Sequence, residues 1–284
     1  MKGARHHSRD IEQVFAKAAI AAGRAIMAVL ADCLTSTRKA DGSPVTNADL
    51  RAEEVICAEL RGALPGLPII GEEGGAPAAG AALPQAYILV DPLDGTRDFL
   101  GGSPEFTVNI ALIENGRAVA GVIHAPALGR LFAGSVGSGA WEMAVGADGA
   151  GSGRAPRREM RVRAVPESGP LALESRSHHE KATDTLLAGL DLAGKRAAAS
   201  SLKFALIAAG EADLYVRGVS LNEWDIAAGD ALLTAAGGAV LTLQGEPIRY
   251  GAAAAMKAPP FLAIGDPSLR PLVMRRSGDA AASR

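Results

Sequence analysis

Two aspartates flank a Pro-Leu pair in Asp91-Pro92-Leu93-Asp94-Gly95-Thr96, the densest concentration of chemistry in this sequence. Carboxylates so close repel each other unless a cation lies between them. A hard divalent ion such as Mg²⁺ takes oxygen ligands octahedrally at about 2.0 to 2.1 Å, and Asp91, Asp94 and the Leu93 carbonyl can supply several. Gly95 lets the backbone turn tightly, and a helix starting near Thr96 would aim free N–H groups at whatever anion the ion attracts. Metal plus phosphate is the economical reading, although the hexapeptide alone would serve equally as a helix cap and turn.

Two further acidic elements shift the balance. Gly71-Glu72-Glu73-Gly74 follows the apolar pair Ile69-Ile70, which again places carboxylates at a strand end, and Trp224-Asp225 precedes a helix patterned by Ile226, Ala227, Asp230 and Leu233. Taken singly, Glu72 and Glu73 read as solvated loop acids and Asp225 as a helix N-cap. Three such sites together suit one metal cluster.

The elements that must position these groups follow from periodicity. Apolar residues from Ile11 to Cys33 recur at three- and four-residue steps and predict an amphipathic helix. Thr46 and Asp49 form a capping-box pattern for a second helix to about Leu64. Tyr87–Val90 reads as a buried strand ending at Asp91, and Glu105–Ile113 and Arg117–Ala125 as a hairpin about Asn115-Gly116. Leu131–Ala133 and Ala140–Met143 extend that antiparallel sheet. After Gly146–Arg158, the candidate domain seam, strands and helices alternate: Leu171–Glu174, His179–Leu192 (helix), Ser201–Gly210 (helix), Ala212–Val216, Trp224–Ala236 (helix), Ala239–Leu243 and Phe261–Ile264. This alternation argues for the α/β class, with parts at 1–150 and 151–284. His6-His7 and the tail Arg275–Arg284 are expected to be disordered or frayed.

The chain of 284 residues has 29 Lys and Arg against 31 Asp and Glu, so no broad basic field attracts a nucleic acid polymer or anionic lipid. The apolar run Ala25–Ala31 is too short to span a bilayer, no secretory signal follows Met1–Arg9, and a soluble cytoplasmic protein without an integral membrane segment is expected. Cys33 and Cys57 are expected to be reduced core thiols. His124 reads as a structural histidine and His178-His179 as a helix-start pair.

Together, Gly71-Glu72-Glu73, Asp91–Thr96 and Trp224-Asp225-Ile226-Ala227-Ala228-Gly229 resemble the motifs of the inositol monophosphatase-like, Mg²⁺-dependent, lithium-sensitive phosphatases. Lys39–Thr46, Phe106–Ala111, Ser175–His178 and Ser200–Phe204 look most like the bacterial 3'(2'),5'-bisphosphate nucleotidase branch, the resemblance covering about residues 10 to 265. It implies a layered α-β-α-β-α sugar-phosphatase fold with an antiparallel N-terminal sheet and a smaller mixed α/β part. It also implies two or three Mg²⁺ ions. One would be held by Glu72, Asp91 and the Leu93 carbonyl, a second by Asp91, Asp94 and Asp225. Leu93, Asp94, Gly95 and Thr96 would hold the scissile phosphate, Asp49 with Thr96 would orient the attacking water, and Ser201 and Asp225 belong to the implied substrate contacts. A looser role for Glu73 would run through a water.

The implied reaction removes the 3'-phosphate of 3'-phosphoadenosine 5'-phosphate to give AMP. Lys203 and Arg217 are the candidates for the phosphate that is not cleaved, weighed evenly against solvated cations with snorkelling stems. Ala199, where the branch usually has glycine, and Val216 and Val219 beside Arg217 depart from its pattern. Inositol 1-phosphate and fructose 1,6-bisphosphate are the alternative substrates. A haloacid-dehalogenase-type phosphatase is disfavoured because its acids stand two residues apart, not three. A metal- or phosphate-binding regulatory protein is disfavoured by the complete acidic set. The oligomeric state, a homodimer included, stays open.

Overall fold

The structure is a computed structural model describing residues 2–39, 42–74, 82–146, 156–176, 180–252 and 256–271, with side chains from residue 10 onward. Helix α1 spans Lys2–Asp32 and buries Phe15, Ala18, Ala19, Ala22 and Ile26 at helical spacing. It starts before the expected Ile11, so the backbone of His6-His7 is helical rather than a disordered end. Each added residue lengthens a nucleated helix by one hydrogen bond without needing an apolar face. A short antiparallel pair, β1 (Ser36–Arg38) and β2 (Pro44–Thr46), leads into α2 (Asn47–Ala63). The predicted capping box is present: the Thr46 side chain accepts the Ala48 and Asp49 N–H groups, and the Asp49 carboxylate accepts the Thr46 N–H.

A seven-stranded sheet follows in chain order: β3 (Ile69–Gly71), β4 (Ala86–Asp94), β5 (Thr107–Glu114), β6 (Arg117–Ala125), β7 (Arg130–Ser135), β8 (Gly139–Ala144) and β9 (Arg158–Met160). β3 runs parallel to β4 and every other pair is antiparallel. The five-residue helix α3 (Thr96–Leu100) follows β4. The expected hairpin turn has φ of 50° at Asn115 and 72° at Gly116, the left-handed values that favour this dipeptide.

The second half contributes β10 (Leu171–Ser175), α4 (Lys181–Leu187), β11 (Gly194–Ala198), α5 (Leu202–Ala208), β12 (Leu214–Arg217), β13 (Leu221–Asn222), α6 (Glu223–Ala235), β14 (Ala239–Thr242), β15 (Lys257–Ala258) and β16 (Phe261–Ile264). Five of its strands form a mixed sheet in the order β11-β10-β12-β16-β14; β13 pairs with β15.

Three apolar clusters set the layers. Along β4, Ile88 and Val90 join Phe15, Ile26, Ile56 and Leu60 of α1 and α2, while Tyr87 and Leu89 face the other way, the two-residue alternation of a strand. On that second face lie Phe204 of α5, Ile226 and Leu232 of α6, and Leu173, Tyr215 and Phe261 of the smaller sheet. Leu186 and Leu187 of α4 cover its outer side with Ala172, Leu214, Val216 and Leu262. Helices, sheet, helices, sheet and helix therefore stack as the implied α-β-α-β-α order.

Several expectations are corrected. Cys33 is exposed and Cys57 half-buried, so neither is a core thiol, and both are free; Cys33 lies one residue beyond α1, where the buried face has ended. The apolar stretch is longer than Ala25–Ala31: Asp10–Asp32 meets the length and composition of a membrane span, but Ile11, Phe15 and Ile26 pack in the first cluster. α4 is shorter than His179–Leu192, and residues 188–192 of the expected helix form a turn and loop that leads into the edge strand β11. Residues 75–81, most of the Gly/Ala/Pro-rich segment, residues 147–155 of the expected seam, residues 177–179 with His178-His179, and residues 272–284 with the tail lie outside the described residues.

His124 is the structural histidine expected. It is 2 % exposed, its Nδ1 lies 3.0 Å from the Ala19 carbonyl oxygen, and burial lowers its pKa to about 4. A β-carbon on Gly23 of α1 would sit 2.5 Å from the imidazole ring, so glycine permits this contact.

Candidate active site

Parallel pairing of β3 with β4 sets Gly71 beside Val90, and the Glu72 N–H donates to the Val90 carbonyl at 3.1 Å. The next residue on each strand is an acid. Glu72 and Asp91 thus emerge side by side at one sheet edge.

The pairing of β4 with β5 slips between Asp91 and Asp94, where Pro92 has no N–H to donate. The Leu93 N–H turns back onto Asp91 Oδ1 at 3.0 Å. Gly95 has φ 92°, and a β-carbon there would lie 2.3 Å from Ser200 Oγ. The turn therefore requires glycine on both counts.

Asp225 is the third residue of α6, and its Oδ2 accepts the Asn222 N–H at 2.9 Å in a second capping box. Its helix-cap reading and its acidic-cluster reading are thus both realised. One carboxylate oxygen each of Glu72, Asp91 and Asp225 lies within 4.8 Å of the others.

Asp91 is 1 % exposed. Burial, then repulsion from Glu72, Asp94 and Asp225, raises its pKa well above the usual carboxylate range. Burial, with Asp94 and Glu72, does the same to Asp225. Burial brings Asp94 up to about 6 against the pull of Lys203 and the Ser201 N–H. Closely packed oxygens with no cysteine or histidine among them match a hard divalent cation rather than a soft one.

A cleft of about 270 Å³ opens on this cluster, lined by Glu72, Asp91, Leu93, Asp94, Gly95, Thr96, Ser201, Lys203, Arg217 and Asp225. Asp49 stands behind it and reaches Thr96. Asp94 is outside the group of three. Its Oδ2 accepts the Ser201 N–H at 2.6 Å, which ties the turn to the start of α5.

Lys203 and Arg217 are 4 % and 8 % exposed, so they are not snorkelling surface cations. Lys203 Nζ donates to the Ser200 carbonyl at 2.8 Å, lies 4.9 Å from the Tyr215 ring centroid, and burial lowers its pKa to about 8. Arg217 pairs with Glu180 at 2.7 Å, and its Nε is buried without an acceptor among the described residues. Alternation along β12 sends Val216 into the outer core, away from the cleft, and Val219 is exposed. Ala199 is buried and its N–H donates to Glu105 at 2.8 Å.

Two further participants, Lys39 and Ser200, carried no assigned role in the sequence, and Glu73 carried only a loose one. Lys39 Nζ lies 2.7 Å from both Glu72 and Glu73. Burial lowers its pKa, but hydrogen bonds to the two carboxylates outweigh that and hold it above its ordinary value. Burial raises Glu73 to about 7 despite Lys39. Ser200, in a left-handed conformation at φ 56°, places its hydroxyl 2.9 Å from the Asp94 carbonyl oxygen and 2.8 Å from that of Glu105. Lys39 and Ser200 each carried a sequence signal, through the Lys39–Thr46 and Ser200–Phe204 motifs.

Five stacked layers and a buried acidic cluster at a sheet edge define a layered α/β protein built around a centre that could hold metal. Residues 8–273 match the inositol monophosphatase family, and the chain belongs to that family. It is 40 % identical over 231 residues to the 3'(2'),5'-bisphosphate nucleotidase CysQ of Escherichia coli O157:H7, covering 81 % of this chain and 89 % of that protein. An inositol-1-monophosphatase of Mesorhizobium japonicum is 35 % identical over 238 residues, covering 82 % and 85 %. The crystal structure of CysQ from Bacteroides thetaiotaomicron, a bacterial member of the family, superposes with a TM-score of 0.75 at 33 % identity, covering 89 % of this chain and 96 % of that one.

Proposed function

We propose that this protein is a Mg²⁺-dependent 3'(2'),5'-bisphosphate nucleotidase that hydrolyses the 3'-phosphate of 3'-phosphoadenosine 5'-phosphate, giving AMP and phosphate. The observation that carries this reading is the buried pair Lys203 and Arg217 lining the same cleft as the acidic cluster. Arg217 Nε, which has no acceptor among the described residues, supplies a ready donor for an anion. A substrate with two phosphates has one for each end of such a cleft.

Glu72, Asp91, Asp225, Asp94 and the Leu93 carbonyl would hold the ions. Bound there, divalent ions lower the pKa of water, neutralise phosphate oxygens and stabilise the leaving alkoxide. Asp49 with Thr96 would orient the attacking water, whose proton would pass through the Thr96 hydroxyl to the Asp49 carboxylate. The backbone of Gly95 and Thr96, together with Ser201, would position the scissile phosphate. Water attacks phosphorus in line as the ribose 3'-oxygen departs, so no covalent nucleophile is required.

The similarity to an inositol-1-monophosphatase makes inositol 1-phosphate the principal competing substrate. Phosphate release with Mg²⁺ from 3'-phosphoadenosine 5'-phosphate, inositol 1-phosphate and fructose 1,6-bisphosphate, compared as kcat/KM, tests the assignment. The nucleotide is expected to lead by at least tenfold. A leading inositol phosphate would overturn it, and no turnover of any would favour a binding protein.

A further inference from the structure

We infer that Glu53 is a positioning residue whose carboxylate anchors the turn that presents Glu72 to the acidic cluster. This rests on the reading that Glu72, Asp91 and Asp225 hold a divalent ion.

Glu53 lies on α2 four residues after Asp49, so both side chains leave the same face of the helix. Asp49 reaches Thr96 on one loop of the cleft. Glu53 reaches the other. Its Oε2 accepts the Glu73 N–H at 2.9 Å and its Oε1 accepts the Gly74 N–H at 2.7 Å. The last bond of the β3 edge is the Glu72 N–H to the Val90 carbonyl, so the next two N–H groups pass from the sheet to Glu53. Hydrogen bonds to an ionised carboxylate are roughly twice as strong as neutral ones, and two in parallel fix direction as well as distance.

Gly71 shows how closely the anchor fits. A β-carbon there would lie 2.5 to 2.7 Å from all three atoms of the Glu53 carboxyl group. Its φ is not in the left-handed region, so glycine is needed for room rather than for conformation. Lys39 holds the Glu72 and Glu73 side chains, at 2.7 Å from each. Glu53 spends both oxygens on the backbone and is outside the group of three, so it acts through Glu72 and not as a ligand.

The test is Mn²⁺ binding followed by electron paramagnetic resonance, alongside the Mg²⁺ concentration giving half-maximal hydrolysis. Outer partners of metal ligands typically matter about 10- to 100-fold in metal affinity. Glu53→Ala is expected to weaken Mn²⁺ by about that factor and to raise the Mg²⁺ requirement in parallel, with kcat at saturating Mg²⁺ within about threefold of wild type. Glu53→Gln, with one acceptor left, should fall between the two and keep a wild-type melting curve without metal. Gly71→Ala should mimic Glu53→Ala, yet add under about twofold in the Glu53→Ala background, because the carboxylate it would displace is already gone. Wild-type Mn²⁺ affinity in both Glu53 variants overturns the inference. If Glu53→Ala does not fold, Glu53→Gln decides it alone. Absence of Mn²⁺ binding by the wild-type protein, or its persistence in Asp91→Asn, overturns the reading of the acidic centre and this inference with it.

Discussion

Asp49 and Thr96 are joined behind the cleft by a carboxylate with two duties: Asp49 Oδ1 lies 3.1 Å from the Thr96 hydroxyl, while Oδ2 accepts the Thr46 N–H at 2.8 Å to close the cap of α2. The Thr96 hydroxyl is also 3.2 Å from the Leu93 carbonyl oxygen, so its single proton has two competing acceptors. Asp49→Asn and Thr96→Ala should therefore differ. Both should lower kcat by about 10² to 10⁴ with a small change in KM, but only Asp49→Asn should also cost about 1 kcal/mol of helix-cap stability. Steady-state kinetics and urea unfolding of the two variants check this.

The acidic cluster makes a signed prediction about metal removal. Asp91 and Asp225 are raised well above the usual range and Asp94 to about 6. Acids with raised folded pKa values bind protons more tightly folded than unfolded, so their contribution is fully present below the unfolded value and lost as pH rises through the folded one. Chelated protein should melt at lower temperature at pH 7.5 than at pH 5.5, and Mg²⁺ should raise the melting temperature more at pH 7.5. Asp91→Asn should flatten that difference. An equal Mg²⁺ effect at both pH values would contradict it.

Lys203 and Arg217 predict a substrate split. A hydrogen bond to a charged group is worth about 1.5 to 3 kcal/mol, so Lys203→Ala or Arg217→Ala should lower kcat/KM for 3'-phosphoadenosine 5'-phosphate by about 10- to 100-fold. Inositol 1-phosphate, with no second phosphate, should lose under about threefold. Glu180→Gln, which releases Arg217 from its 2.7 Å partner, should alter KM for the nucleotide alone. Equal losses on both substrates would remove the second-phosphate assignment.

His124 has the opposite acid dependence. Its folded pKa of about 4 is depressed from 6.5, so the unfolded chain binds the proton first. Its stabilising contribution is present above pH 6.5 and lost as pH falls toward 4, a loss on the order of a few kcal/mol between pH 7.5 and 4.5. Urea midpoints in saturating Mg²⁺ should show that loss in the wild type and a smaller one in His124→Asn.

The long elements were legible because each carries a repeated local signal. α1 has its apolar stripe, α2 its Thr46–Asp49 box, and the β5–β6 hairpin its Asn115-Gly116 turn. β1, β9, β11, β13 and β15 were not. They are two to five residues long, and Ser36–Arg38 and Arg158-Glu159 expose their side chains, so no alternation marks them. The acidic set was found through motifs, but its convergence depends on the parallel β3–β4 register, which no spacing reveals. Lys203 offered a local clue. It is a lone cation in the otherwise apolar Leu202–Ala208, where a solvated face is implausible. Glu53 acts on backbone atoms distant in sequence, and such contacts leave no pattern to read; Ser200 stood in the Ser200–Phe204 motif, but its bonds to the Asp94 and Glu105 carbonyls are equally long-range.

Asp225 sits 134 positions after Asp91, and Ser200 fills the space beside Gly95 from the other half of the chain. During synthesis the first half can pair its strands, yet it emerges from the ribosome lacking one wall of its own reaction chamber. A message truncated before that aspartate should yield no weakly working fragment, so turnover begins only when nearly the whole polypeptide has been made.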